Sequence, residues 1–278
     1  MKLLTLNTHS LIEAEYPAKR EAFVQMITEE QPDIVALQEV NQTMNSKCVN
    51  PSLLRGYHAC TEKSVGEDNH VYNVTRELAE RGVFYYWTWL PVKTGYGQYD
   101  EGLAFLSRCP ITETDVCTVS RRDDYGDWRT RKILGIRTEA APDTWFYSVH
   151  YGWWNDTEEP FAGQWQKTLA HLQNVPDVWL MGDFNNPAEV RGEGYDLVQS
   201  SGWRDSYTEA YIKDNGITVY KNIAGWNDNT GGIRIDQIWH NREASVARSF
   251  VICNDAWYPT VSDHFGIFME YSEGCENV

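Results

Sequence analysis

The sequence is short of positive charge. Its 278 residues carry 24 Lys and Arg against 40 Asp and Glu, a formal net charge of −16 with His neutral. Tight binding of a long polyanion draws on Lys and Arg that displace condensed counterions, so this balance argues against a general nucleic-acid binder. It leaves open a small anionic substrate held in a local basic pocket. Long apolar runs are also lacking. None approaches the ~20 residues that span a bilayer, so no membrane partner is expected. The opening MKLLTLNTHS meets polar residues too early for a secretory signal, and a cytoplasmic protein is expected. The six cysteines (Cys48, Cys60, Cys109, Cys117, Cys253 and Cys275) form no CxxC pair, so reduced, structural thiols are expected rather than a zinc or redox centre. No repeat, low-complexity tract or Pro/Gly/Ser linker divides the chain, which favours one domain over 1–278.

Hydrophobic residues make up 42% of the chain and aromatics 13%, enough for a sizeable core. Short apolar runs alternate with helical segments from end to end, an α/β pattern. Pro17 opens a helix to about Glu30, and the turn Gln31-Pro32-Asp33 launches a strand over Ile34–Leu37. Residues 43–70 are polar and irregular and read as an insertion, followed by a helix at about Val71–Arg81. From Val83 the pattern turns to β, with a strand pair over Lys132–Arg137 and Trp145–Val149. Phe161–Leu172 reads as a helix and Val178–Met181 as a buried strand. Asn186-Pro187 suits the start of another helix. Strands at Ile233–Trp239, Val246–Ile252 and Ile267–Tyr271 close a fold of two β-rich halves with helices outside.

One arrangement recurs: an apolar strand ends and a residue useful to a metal or phosphate follows. Leu3–Leu6 runs into Asn7, Ile34–Leu37 into Gln38-Glu39, Phe146–Val149 into His150, and Val178–Met181 into Gly182-Asp183-Phe184-Asn185. Any one of these also suits a plain turn. Together they predict one rim, since α/β sites form outside the carboxyl ends of strands. Asp183 and Asn185, two apart, would share a face, offering a carboxylate for a cation or water and an amide for a phosphoryl oxygen. Glu39 suits Mg²⁺, which keeps waters and needs one or two carboxylates. Asp236 shares its strand face with Arg234 and is either paired with it or a ligand. Asp263 is placed to orient His264. Glu101 could pair with His150 and keep that imidazole charged.

Taken in order, Leu6-Asn7, Gln38-Glu39, Glu101-Gly102, His150, Gly182-Asp183-Phe184-Asn185, Ile235-Asp236 and Ser262-Asp263-His264 resemble the endonuclease/exonuclease/phosphatase superfamily, from residue 3 to residue 268. The resemblance implies a four-layered α/β sandwich, two mixed β-sheets packed face to face with helices outside. It also implies hydrolysis of a phosphate ester with Mg²⁺, for which Mn²⁺ can substitute. Carried over residue by residue, Glu39 resembles the principal metal ligand, with Asn7 and Asp236 grouped beside it. Asp183 resembles the residue that aligns or deprotonates water, and Asn185 the holder of a phosphoryl oxygen. His264, oriented by Asp263, resembles the binder of the scissile phosphate, and Glu101–His150 the carboxylate–histidine pair.

Composition speaks to the ester. Twelve tryptophans in an acidic chain suit a sugar, whose apolar faces pack on aromatic rings. Trp153 and Trp154 would stand beside the site, with Trp87, Trp89 and Trp226 at its rim. Basic residues concentrate at Arg121, Arg122, Arg129, Arg131 and Lys132, and a clamp made by Arg129 and Arg131 would hold the phosphate. The stretches MKLLTLNTHS, Tyr99-Asp100-Glu101-Gly102 and Val149-His150-Tyr151-Gly152-Trp153-Trp154 resemble the bacterial maltose 6′-phosphate phosphatases. The leading reading is therefore a phosphomonoesterase acting on a small phosphorylated sugar. A phosphodiesterase, either an endonuclease or sphingomyelinase-like, is the alternative. A non-catalytic phosphate-ligand binder on the same scaffold is the third.

Overall fold

Period-two alternation along the strands builds the layers. In β1 (Lys2–Asn7), Leu3 faces one side while Leu4 and Leu6 face the other. The computed structural model describes residues 1–221, 223, 225–226 and 231–272, so Cys275 lies outside them. The remaining strands are β2 (Ile34–Thr43), β3 (Tyr86–Gly95), β4 (Tyr99–Ser107), β5 (Ile111–Thr118), β6 (Lys132–Thr138) and β7 (Ala141–His150). They continue with β8 (Val178–Asp183), β9 (Arg204–Asp205), β10 (Ile212–Lys213), β11 (Asp236–His240), β12 (Ser245–Ile252) and β13 (Gly266–Ser272). One sheet has seven strands in the order β10-β12-β13-β1-β2-β4-β3, the other six in the order β5-β6-β7-β8-β11-β9. Both are mixed: β1–β2 and β7–β8 are parallel, whereas β2–β4 and β8–β11 are antiparallel.

Three apolar interfaces separate four layers. Leu3, Ala36 and Phe105 of the first sheet meet Ile136, Phe146 and Met181 of the second. The first sheet's other face, with Leu4, Val35 and Leu37, packs against α1 (Tyr16–Glu30) and α2 (His70–Glu80) through Phe23, Ile27 and Val74. Tyr147, Leu180 and Trp239 of the second sheet pack against α3 (Phe161–Leu172) and α4 (Gly194–Ser200) through Trp165 and Tyr195. Burying one such side chain fully, Phe146 or Leu180 for example, contributes about 1.5–3 kcal/mol. The expected sandwich is thus the observed one. Cys48, Cys60, Cys109, Cys117 and Cys253 are free thiols. Among the described residues, no helix is long and apolar enough to cross a membrane.

Local differences have local causes. Asn186-Pro187 starts no helix. The Asn186 side-chain amide donates to the Phe184 and Gly152 carbonyls, the Asn186 backbone carbonyl accepts from Gln237 Nε2, and the Ala188 N–H bonds to the Arg234 carbonyl. The same contact delays β11 until Asp236. Between β2 and α2, residues 44–69 are irregular apart from one short 3₁₀ turn at Pro51–Leu53. They lie along the outer strand β3, where the Trp87 N–H donates to the Gly56 carbonyl and the His58 N–H to the Trp87 carbonyl. Covering an edge this way blocks pairing with another chain. Trp87 and Trp89 are fully buried in the core under α2, not at a rim.

Candidate active site

Each sheet contributes one parallel strand pair whose carboxyl ends meet. In the first sheet Asn7 lies in register with Gln38, and in the second His150 with Asp183. The antiparallel β11 then brings Asp236 opposite Asp183. A bulge places Glu39. The β2–β4 register shifts between Leu37 and Val40, and Glu39 takes a left-handed φ of 51°. Gln38 points between the sheets, where its amide donates to Ser148 Oγ at 2.9 Å. Gly182 is required by closeness: with φ 150°, a Cβ would lie 2.0 Å from the Val149 carbonyl oxygen.

Asn7 ties the two halves together, its amide donating to Glu39 Oε1 at 2.9 Å and Asp183 Oδ2 at 3.2 Å. Asp183 Oδ1 accepts from the Asn185 N–H at 2.8 Å, and Oδ2 from the Asn185 amide at 3.2 Å. Both histidines approach that oxygen: His150 Nε2 at 3.6 Å and His264 Nε2 at 4.0 Å. His264 donates from Nδ1 to Asp236 Oδ2 at 2.9 Å. Burial and the neighbouring Asp236, set against His264, push the Asp183 carboxyl up to about 7. Burial works against charge on His264, yet Asp236 and Asp183 outweigh it and hold the imidazolium well above its usual range. His150 goes the other way. Burial, then Arg131 and Lys93, keep it neutral.

These contacts revise several expected pairings. Asp236, not Asp263, orients His264, because β11 sets it opposite the site while Asp263 turns toward the rim. There the Asp263 carboxylate lies 3.8 Å from His9 Nδ1, and its N–H donates to Glu13 Oε1. Asp236 does not contact Arg234, whose guanidinium forks onto Asp205. Glu101 does not hold His150. Its partner is Lys93, at 3.2 Å from Nζ.

The walls enclose a cleft of about 230 Å³. Trp153 lines it, tilted against Trp128 with ring centroids 5.8 Å apart. Arg131 lines it too, but Arg129 turns away to Asp156 and Glu158 and lies over the Trp128 ring. Trp154 packs against the core under α3 and α4 rather than the cleft. Trp226 reaches the site indirectly, donating from Nε1 to Asn185 Oδ1 at 3.3 Å. Sequence reasoning missed Lys93, Trp128, Tyr96 and His9, all of which line the cleft. Lys93 carried a signal, a charge inside the β-run YWTWLPVKTG that strand alternation leaves unexplained.

The donor set fits a divalent cation at Glu39. That carboxylate is half-buried, its side chain's one hydrogen-bond partner among the described residues is the Asn7 amide, and desolvation and Glu101 push its pKa up. Such an uncompensated carboxylate is relieved by a hard cation. Asp183, Asp236 and His264 also bring ligand atoms within 4.8 Å of one another, as do His9, Glu13 and Asp263. In the first group, the His264–Asp236 hydrogen bond already occupies the imidazole Nδ1.

The fold recurs in known proteins. The chain is 33% identical to an endonuclease/exonuclease/phosphatase family protein from Leptotrichia buccalis, with a TM-score of 0.86 over 98% of this chain and 99% of that one. A mannosyl-6-phosphatase from Bacteroides thetaiotaomicron is 17% identical, TM-score 0.64, covering 98% of this chain and 99% of its own. A 3′-5′ exonuclease from Neisseria meningitidis is 16% identical, TM-score 0.63, covering 98% of this chain and 100% of its own. These two likenesses are of fold alone. No curated protein matches. The model of the Endonuclease/Exonuclease/phosphatase family matches residues 4–264. The chain therefore belongs to the endonuclease/exonuclease/phosphatase family, whose members are hydrolases of phosphoric esters.

Proposed function

We propose that this protein is a Mg²⁺-dependent phosphomonoesterase that removes the phosphate from a small phosphorylated sugar, such as maltose 6′-phosphate, by in-line attack of water. The observation that carries the reading is the cleft itself: about 230 Å³, lined by Asp183 and His264 together with the Trp128–Trp153 pair. That volume lies below the about 300–1,000 Å³ of typical drug-sized pockets and suits a sugar ring stacked on indole. The net charge of −16 disfavours a polyanion.

Asp183 takes the proton of the attacking water. Its raised pKa matches a general base working near neutrality, and the Asn185 N–H and amide hold its carboxylate in place. Asn7 aligns Asp183 with Glu39. His264, kept charged by Asp236, donates to a phosphoryl oxygen as negative charge grows there. Glu39, supported by Asn7, would hold the cation, which when bound neutralises charge on the phosphate. The sugar oxygen leaves with the electron pair of the broken P–O bond and takes a proton from solvent water to end as a hydroxyl. A phosphodiesterase is the second reading, since the exonuclease has nearly the same TM-score as the mannosyl-6-phosphatase.

The test is phosphate release from sugar phosphates, nucleotides and plasmid DNA, with Mg²⁺ and with EDTA. Selective release from a sugar phosphate, abolished by EDTA, is expected. Nicking of plasmid with the sugar phosphates untouched would transfer the assignment to the second reading.

A further inference from the structure

Two buried guanidinium groups in this chain are treated differently. Arg234 is satisfied by its own fold, its Nη1 and Nη2 donating to the two oxygens of Asp205 at 3.3 and 2.7 Å. Arg131 is only 3% exposed, yet among the described residues no carboxylate oxygen lies within 4.0 Å of it. Its Nη1 donates to the carbonyls of Trp128 and Thr130 at 2.8 and 3.1 Å. Its Nε is buried with no partner, and Nη2 bonds to no described residue. The basic neighbours are taken: Arg129 by Asp156 and Glu158, Lys132 by Asp123. An unpaired buried charge is costly, and the ordinary relief is an anion.

Lys93 stands beside it. Its Nζ donates at 2.9 Å to the same Trp128 carbonyl that Arg131 uses, so the two cationic heads share one anchor. Among the described residues, Glu101 is the one carboxylate within ion-pair reach of Lys93, at 3.2 Å, and none is within that reach of Arg131. Glu39 acts on both cations from farther off, and Asp183 on Arg131. Both cations line the cleft that holds Asp183 and His264.

We infer that Arg131 and Lys93 form a seat for the third non-bridging oxygen of a phosphate monoester, and so select monoesters over diesters. The inference rests on the phosphate position proposed above and adds what reads it. A monoester dianion has three non-bridging oxygens, and a diester has two and one charge fewer. Where Asn185 and His264 engage one side of the phosphate, the remaining oxygen of a monoester faces Arg131 and Lys93. In a diester that position carries a second ester group, and the buried N–H donors stay unpaired, which disfavours the wrong substrate more strongly than a lost contact alone.

The experiment compares kcat/KM for p-nitrophenyl phosphate and methyl p-nitrophenyl phosphate in the full chain and in Arg131→Met, Arg131→Lys and Lys93→Met. The monoester-to-diester ratio is expected to fall roughly 10- to 100-fold in Arg131→Met and Lys93→Met, and less in Arg131→Lys. Inhibition by inorganic phosphate is expected to weaken in parallel. Should Arg131→Met not fold, the ratios of Lys93→Met and Arg131→Lys decide. A ratio unchanged in folded variants, or both substrates falling together, overturns the seat while the phosphomonoesterase reading stands. Wild-type protein that turns over only the diester overturns that reading itself.

Discussion

One part of the cleft wall comes from the parallel strand pairs and brings the carboxylates Glu39 and Asp183; another comes from a hairpin and a loop and brings the cations Lys93 and Arg131 beside Glu101. On the first wall, Glu39, His150 and Asp183 sit where parallel ladders of two different sheets run out, His150 and Asp183 fixed by register and Glu39 by the bulge in β2. Asp183 accepts three hydrogen bonds from Asn7 and Asn185. On the second wall, Lys93 comes from β3 and Arg131 from the segment between β5 and β6, and both lean on a single carbonyl, that of Trp128. Groups that handle reacting atoms gain from a rigid, doubly supported mount. Groups that recognise what varies between substrates are commonly carried on loops.

The largest test of this contrast is Asp183→Asn. It keeps the shape of the first wall and removes the base, so turnover should fall about 10²–10⁴-fold. Because burial and Asp236 disfavour the Asp183 charge, the variant should melt no lower than wild type near neutral pH without metal. Phosphate release and a thermal melt on the same samples check both statements. A folded variant with near-normal turnover would remove Asp183 from the chemistry.

An intermediate effect separates the wall from the framework behind it. His70, buried under α1 with Nδ1 hydrogen-bonded to Tyr16 Oη at 2.9 Å, is depressed to about 3 by burial and Arg20. A depressed imidazole contributes stability that is fully present above its unfolded pKa of about 6.5 and is lost as pH falls toward about 3. Asp183, raised to about 7, acts with the opposite sign: its contribution is present below about 3.8 and lost as pH rises through 7. In the metal-free protein the two partly cancel between these limits. Asp183→Asn should therefore expose the His70 limb, up to about 1.4 kcal/mol per pH unit, and adding His70→Gln should flatten it. Urea melts at several pH values measure it, and a pH response unaltered by His70→Gln would place the acid sensitivity elsewhere.

The smallest effect belongs to the aromatic lining of the cleft. Trp153→Ala should raise KM for a sugar phosphate about 10-fold with kcat nearly kept, since stacking binds the ground and transition states alike. Steady-state kinetics on sugar phosphates and on inorganic-phosphate inhibition separate the terms. An equal fall in kcat would mean that the indole also positions the reacting centre.

The first wall was legible because its residues follow apolar runs, and register is a local property. The apolar runs Leu3–Leu6 and Ile34–Leu37 point to Asn7 and Gln38-Glu39 as the residues that follow them, but β2 continues to Thr43, and the bulge that turns Glu39 leaves no mark in composition. Partnerships were less legible. Adjacency suggested Asp263 for His264, but the partner is Asp236, 28 positions away and delivered by an antiparallel strand. Residue chemistry and the resemblance both join Glu101 to His150, while the fold gives Glu101 to Lys93. Trp87 and Trp89 illustrate the ambiguity of aromatics, because one strand residue serves a core or a rim according to which layer covers it. Trp128 matters through its backbone carbonyl, which side-chain identity does not announce.

The Asn7 amide touches one carboxylate at the end of each sheet. Its two hydrogen bonds make the catalytic centre a gauge of docking: a chain with both sheets formed but slid apart by the width of a water molecule has every element of secondary structure and no assembled centre. Competence thus requires docked sheets and not formed strands alone, and a loosening between them that left the strands intact would silence the protein with its circular dichroism unchanged.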